Sequence, residues 1–313
     1  MRNRQIRHLA TETGTVLLLL LGVGCISPAV HRGVPAFADA VVLATENSKS
    51  AFTVVEQRYE DVQAAKIVVN YEKSGFNPNT VTRFLEPEEL ETRLALLDAL
   101  QRYASTLAEV SSDQKLDEFD DKTRAFGSAV QSLTTTTAFQ KLANSSGTNP
   151  NIAVTAVTAL GHWFIERKRQ QHLPELIEQM QGPVRTTAEL LRADIGSPPD
   201  SQGHGGHGLR DQLWNEYTQA LVEQVAFIDQ NKEHMDPISR AAEIRKLPAL
   251  VRQRSVADNT LRQTQSTLNE LVDAHADLLV AARSKANLHS AFDGLIVEAQ
   301  RLKGFYDSLQ TQE

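Results

Sequence analysis

The sequence predicts an all-α protein, an elongated antiparallel bundle of long amphipathic helices. Three observations carry this. Every long apolar pattern advances in steps of three and four, the period of one helix face, and none alternates in twos over the length a strand needs. The 16 Gly and 11 Pro fall largely in short clusters between those patterns, where they punctuate rather than interrupt. With 313 residues, 41% hydrophobic and 23% charged, the chain is long enough to build a large core and too apolar to remain disordered.

Residues 37–73 form the first expected helix, with Val41, Ala44, Phe52, Val55, Tyr59, Val62 and Val69 on one stripe and Glu56, Arg58, Glu60 and Asp61 turned away. Gly75 and Asn77-Pro78-Asn79 stop it. Pro87 among Glu86, Glu88 and Glu89 opens the second, since proline fits the first turn and acids favour the positive end of the helix dipole. Its apolar face runs Leu90, Leu94, Leu97, Leu100, Tyr103, Leu107, Val110. After a turn at Ser111-Ser112-Asp113, a third helix carries Leu116, Phe119, Phe126, Val130 and Leu133. The β-branched run at residues 134–137 is poor helix material and marks a kink or an end. Residues 144–149 read as a loop, and Pro150 opens the next helix.

Residues 152–165 are the most apolar stretch after the N-terminal region, followed abruptly by Glu166-Arg167-Lys168-Arg169. One or two helices follow to about Ala193, then a loop of Gly, Ser, Pro and His over residues 196–208, then a helix over residues 209–231. From Pro237 the pattern is long: Ile244, Leu247, Val251, then Leu261, Leu268, Leu271, His275, Leu278, Ala282, Leu288, Phe292, Leu295, Ala299, Leu302, Tyr306 and Leu309. As one helix, residues 255–310 would extend about 84 Å, with residues 284–287 the favoured break. Helices on both sides of the 196–208 loop have single apolar faces that need partners, so residues 37–313 are expected to form one continuous bundle.

The N-terminus reads as an address. Arg2, Arg4 and Arg7 precede an apolar run over residues 16–23, then Gly22-Val23-Gly24-Cys25 and Ser27-Pro28. A basic start, a short apolar core and small residues before a cut site make a secretory signal. The run is well short of the roughly 20 residues a transmembrane helix needs. Cys25, the chain's one cysteine, directly follows the small residues, and this segment resembles the lipobox of bacterial lipoproteins. It departs from the usual pattern at Gly22, where leucine is expected, with Leu21 one position further back. The resemblance implies residues 1–24 as signal peptide, a lipid on Cys25 as first mature residue, and residues 25–36 as a lipidated tether. It also implies a place in the cell envelope facing the periplasm. Ile26 in place of the aspartate associated with inner-membrane retention favours the outer membrane. Loss of residues 1–24 removes three Arg and one Glu from a chain already at −7, so the lipid, not overall charge, would hold it to a membrane.

The same acidic balance argues against a nucleic-acid partner, which requires a concentrated basic face. A single cysteine excludes an internal disulfide framework or Cys-rich metal module. His204 and His207, three apart on a glycine-rich loop near Asp200 and Asp211, are the best metal-ligand candidates, yet weak ones, because a tetrahedral site needs further ligands that no spacing fixes. His162 and Glu166 lie one helical turn apart without an HExxH motif, and read as a structural pair or a solvated edge. Glu270, Asp273 and Asp277 read as a solvated face, and His275 and His289 as neutral core histidines bonded to neighbours. There is no nucleophile elbow and no phosphate-cradling loop, so no catalytic residue and no cofactor are expected. The expectation is a non-enzymatic, lipid-anchored envelope protein that binds another envelope protein as a scaffold or adaptor. The alternative is a membrane-active protein that uses residues 152–165.

Overall fold

A computed structural model describes residues 28–111, 120–165, 173–284 and 291–310. Of these residues 86% are helical, in nine α-helices with no strand, an all-α bundle. The helices are α1 (Pro28–Ser74), α2 (Pro87–Ser111), α3 (Asp120–Leu133), α4 (Thr137–Ser145), α5 (Pro150–Ile165), α6 (Leu173–Ile195), α7 (Gly208–Asn231), α8 (Pro237–Ser284) and α9 (Asp293–Gln310).

The expected stripe of α1 is buried in full, from Val41 to Val69. Gly75 ends the helix in the left-handed conformation at φ +62°, its N–H returning to the Tyr71 carbonyl, which glycine allows at no steric cost. Glu56 is not simply turned to solvent: its carboxylate accepts the Leu85 N–H and fixes the descent into α2. The β-branched run proves to be an end rather than a kink, because α3 stops at Leu133 and the Thr136 hydroxyl caps α4 by accepting the Phe139 N–H. Pro150 opens α5 as expected, and α6 runs unbroken through Pro183. The long C-terminal pattern divides at Ser284, inside the expected break.

One boundary is corrected. The tether expected over residues 25–36 is helical from Pro28, and Val34 within it is fully buried, so only two residues separate Cys25 from α1. Proline at the first helical position costs little, because the first backbone N–H groups of a helix have no partner to lose; Pro35 lies inside the helix and gives up one backbone hydrogen bond, which the burial of Val34 and Phe37 on either side offsets.

At 1.5 Å per residue, α1 and α8 each extend about 70 Å and form the long axis. The ring of Phe37 near the start of α1 meets His275 near the end of α8, so the two run antiparallel. Helix α9 runs beside α1 in the same direction: Phe37 meets Phe292, the Asn47 amide donates to the Ala299 carbonyl and accepts from Tyr306 Oη, and Arg58 reaches the Leu309 carbonyl. Helix α2 runs the opposite way, with Lys49 bonded to Asp98 and Gln101. Above Arg58, among the described residues, three α-helices continue, namely the last turns of α1, α7 and the first half of α8, with the segment at 75–86 returning beside Tyr59. They are tied by Lys66 to Glu216, Asn70 to Glu223 and Gln224 to Glu243. The core is therefore thick at the N-terminal end of α1 and thins to a three-helix extension at the other end.

Candidate functional site

The loop expected over residues 196–208 is a closed turn. Ser197 and His207 exchange both backbone hydrogen bonds (2.9 and 3.0 Å), joining its two ends. Gly196 (φ +69°) and Gly208 (φ +71°) make the closure possible: a Cβ on Gly196 would lie 2.0 Å from the His207 carbonyl oxygen, and one on Gly208 2.3 Å from that of Asp194. The Gln265 side chain of α8 donates to the carbonyls of Arg192 and Gly196 at the end of α6, and Arg210 forks onto Asp258 at 2.8 and 3.0 Å. The loop thus fixes where α6 ends and α7 begins.

Its histidines serve different neighbours. His207 Nδ1 stands 3.1 Å from Ser197 Oγ, while the His204 side chain is 77% exposed and no closer than 4.0 Å to Asp200. Asp200 accepts the Gln202 and His204 N–H groups, which organises the turn without any ion. Among the described residues no three His, Cys, Asp or Glu side chains converge as metal ligands would. Replacing both His204 and His207 by Ala should therefore leave the thermal midpoint within a few degrees of wild type, as exposed substitutions typically change stability by under about 0.5 kcal/mol. A large destabilisation that added zinc or nickel reverses would overturn this reading.

Behind the loop lies a cavity of about 240 Å³, small for an organic ligand, bounded by α2, α4, α6 and the start of α7. Its centre is an ion pair that the sequence did not announce. Arg93 on α2 grips Asp194 on α6 with two parallel hydrogen bonds of 2.8 Å, and the side chains are 5% and 3% exposed. Arg93 also donates to the Glu89 carbonyl at 2.7 Å, and Ser145 Oγ donates to Asp194 at 3.2 Å. Burial pushes the Asp194 carboxyl above its ordinary range, while the Arg93 guanidinium and the Ser145 hydroxyl hold it down. Glu89 pairs with Lys141 at the rim. Arg93 with Asp194 and Lys141 with Glu89 account for two cations and two carboxylates of this wall, so its buried centre reads as a polar joint between helices and not as a charged receptor.

His275 lies on the buried stripe of α8, as expected, at 1% exposure, with Nε2 2.8 Å from Tyr103 Oη. The rings of Phe37, Tyr103 and Phe292 enclose it or its neighbours, with Trp163 stacked edge-on against Tyr103. His275 Nδ1 has no partner, and burial lowers the imidazole from 6.5 to about 4. His289 lies outside the described residues, as do Cys25 and the Glu166 partner proposed for His162; His162 itself is exposed on α5. The acidic face on α8 is less solitary than its spacing suggests. Glu298 of α9 stands beside it, and burial with the charges of Asp273, Glu298 and Asp277 raises Glu270 above the ordinary carboxylate range.

The apolar segment at residues 152–165 is a core helix. Ala153, Val157, Leu160 and Phe164 are buried, and α5 packs against α3 and α6. Among the described residues no helix is long and apolar enough to cross a membrane.

The three-helix extension is the part of the surface that stands out. Most of the large apolar side chains left exposed among the described residues sit there, including Val68 and Tyr71 on α1, Val222 and Val225 on α7, and Ile244 and Val251 on α8. The expectation that Ile244 and Val251 continue the buried face of α8 is thereby corrected: they are 47% and 41% exposed, because too few neighbouring helices reach this end to cover them. Comparison with protein-family models, curated proteins and solved structures finds no match to this chain.

Proposed function

We propose that this chain is a lipid-anchored, non-enzymatic cell-envelope protein, tethered through Cys25, whose helical bundle serves as a scaffold or adaptor for another envelope protein. The observation that carries the reading is the junction between the N-terminal address and α1. Helix α1 begins three residues after the lipobox-like cysteine and continues for 47 residues, so a lipid on Cys25 would sit at one end of the long axis. The uncovered three-helix extension then stands at the far end, about 70 Å away along α1. A rod fixed at one end with unburied apolar side chains at the other is suited to reaching a second component, since monomers seldom leave large apolar patches uncovered without a use for them.

The test is radiolabelled palmitate incorporation into wild type and Cys25→Ser, read beside the mass of the mature chain. The expected result is a labelled wild type that begins at Cys25 and an unlabelled variant that keeps its signal segment or is cut elsewhere. Folding of the bundle should be the same in both, because Cys25 precedes α1. A wild type that is unlabelled and starts at another residue would overturn the tethered reading.

A further inference from the structure

We infer that the three-helix extension docks on an anionic lipid bilayer through the first half of α8. In a chain with a formal charge of −7, residues 237–254 carry five basic side chains, Arg240, Arg245, Lys246, Arg252 and Arg254, against one acid, Glu243. The helix sorts them by face. Glu243 and Arg254 turn toward α7, where Glu243 accepts from Gln224 and Arg254 lies over the Trp214 ring at 4.0 Å and donates to Thr218; Leu250 is buried on the same side. Ala241, Ile244, Pro248 and Val251 follow one another at steps of three, four and three, a single stripe, and the last three of them are exposed. Arg245 and Arg252 each stand one turn beyond a member of that stripe and border it on one side, with Arg240 on the other. All three are exposed and make no ion pair among the described residues. At the start of the helix Ile238 is 83% exposed.

An apolar stripe flanked by free arginines is the pattern of a helix lying in a membrane interface, where the stripe enters the acyl boundary and the guanidinium groups stay with lipid phosphates. Glu72 at the end of α1 is exposed, and three further acids stand at the turn before α8. Asp236 is occupied in capping α8, where it accepts the Ile238 and Ser239 N–H groups, and Asp229 pairs with Lys232, leaving Glu233 as the free acid of the turn. The exposed stripe, with Arg240 on one side and Arg245 and Arg252 on the other, matches the layered chemistry of an anionic bilayer, acyl chains below phosphates.

The inference does not depend on lipidation of Cys25, and its test removes that group. The full chain carrying Cys25→Ser is free of cysteine, so a single cysteine at Ile244 or at Val297 can take an environment-sensitive fluorophore. Both positions are exposed, and Val297 lies on α9 away from the extension. With vesicles of phosphatidylglycerol and phosphatidylcholine, the label at residue 244 should shift to the blue and brighten, and the label at residue 297 should not. Vesicles of phosphatidylcholine alone should give at least tenfold weaker binding at residue 244. Arg240→Glu, Arg245→Glu and Arg252→Glu combined should weaken binding by at least tenfold with an unchanged far-ultraviolet spectrum, because the three side chains are exposed and make no ion pair among the described residues. A silent label at residue 244, an equal response at residue 297, or a response indifferent to lipid charge and to the arginines would overturn the inference. A silent label that responds instead to an acidic protein would assign the surface to that class of partner.

Discussion

Arg93→Ala is expected to lower the stability of the fold by about 3–5 kcal/mol, and Asp194→Ala by a similar amount. Each change leaves one charge buried without its counter-ion, at a place where the side chains are 5% and 3% exposed. The size of the effect comes from that uncompensated charge and not from the worth of the pair. Arg93→Met combined with Asp194→Leu should for this reason recover most of the loss, since apolar groups of similar volume often substitute for a buried ion pair at little cost. Urea denaturation of the four proteins at neutral pH measures this directly. Two single variants within about 1 kcal/mol of wild type would show that the joint between α2 and α6 is open to solvent. A double variant as unstable as the sum of the singles would show that the pair is itself a large net source of stability.

That pair also marks where the sequence was legible and where it was not. Helix periodicity placed Val41 through Val69, Leu97 through Leu107, Leu261 through Ala282 and Phe292 through Leu309 on buried faces, while Leu288 lies outside the described residues; a stripe repeated over many turns has one way to face a core. Arg93 and Asp194 stood inside such stripes, three before Leu96 and four after Leu190, and could have been noticed as charges of opposite sign on apolar faces. What the sequence could not supply is that α2 and α6 meet at those two positions, a fact of tertiary packing. The basic half of α8 was hidden for another reason. An average over 313 residues reports the sign of the whole field, whereas an interface responds to charge within about one Debye length. The N-terminal boundary was missed because Pro28 and Pro35 look like breakers, yet Pro28 takes the first helical position, where the backbone donor is free in any helix, and Pro35 is held within the helix by the buried Val34 and Phe37 beside it. Ile244 and Val251 carry the same periodic signal as buried positions further along α8, and periodicity does not say how many helices remain to cover them.

Lowering the pH from 7.5 to 4.5 should cost the protein about 2–3 kcal/mol through His275 alone. Burial disfavours the charged ring and lowers the imidazole from 6.5 to about 4 in the folded chain. Above pH 6.5 both the folded and unfolded forms are neutral, and the group contributes no pH dependence. As the pH falls from 6.5 to 4 the unfolded chain takes up a proton that the folded chain refuses, so stability declines by about 1.4 kcal/mol per pH unit. Below pH 4 both forms are protonated and this decline levels off. The groups around the ring, Phe37 and Tyr103, carry no charge to offset it, and Tyr103 is itself driven upward by burial and stays a neutral phenol. Other residues titrate over the same range, and a comparison with His275→Gln removes them, because the amide keeps a polar group toward Tyr103 Oη and cannot gain a charge. Wild type should lose more stability than His275→Gln between the two pH values, by that amount, in matched urea titrations. Parallel pH profiles for the two proteins would mean that water reaches the ring and that the aromatic enclosure around α8 is looser than its geometry implies.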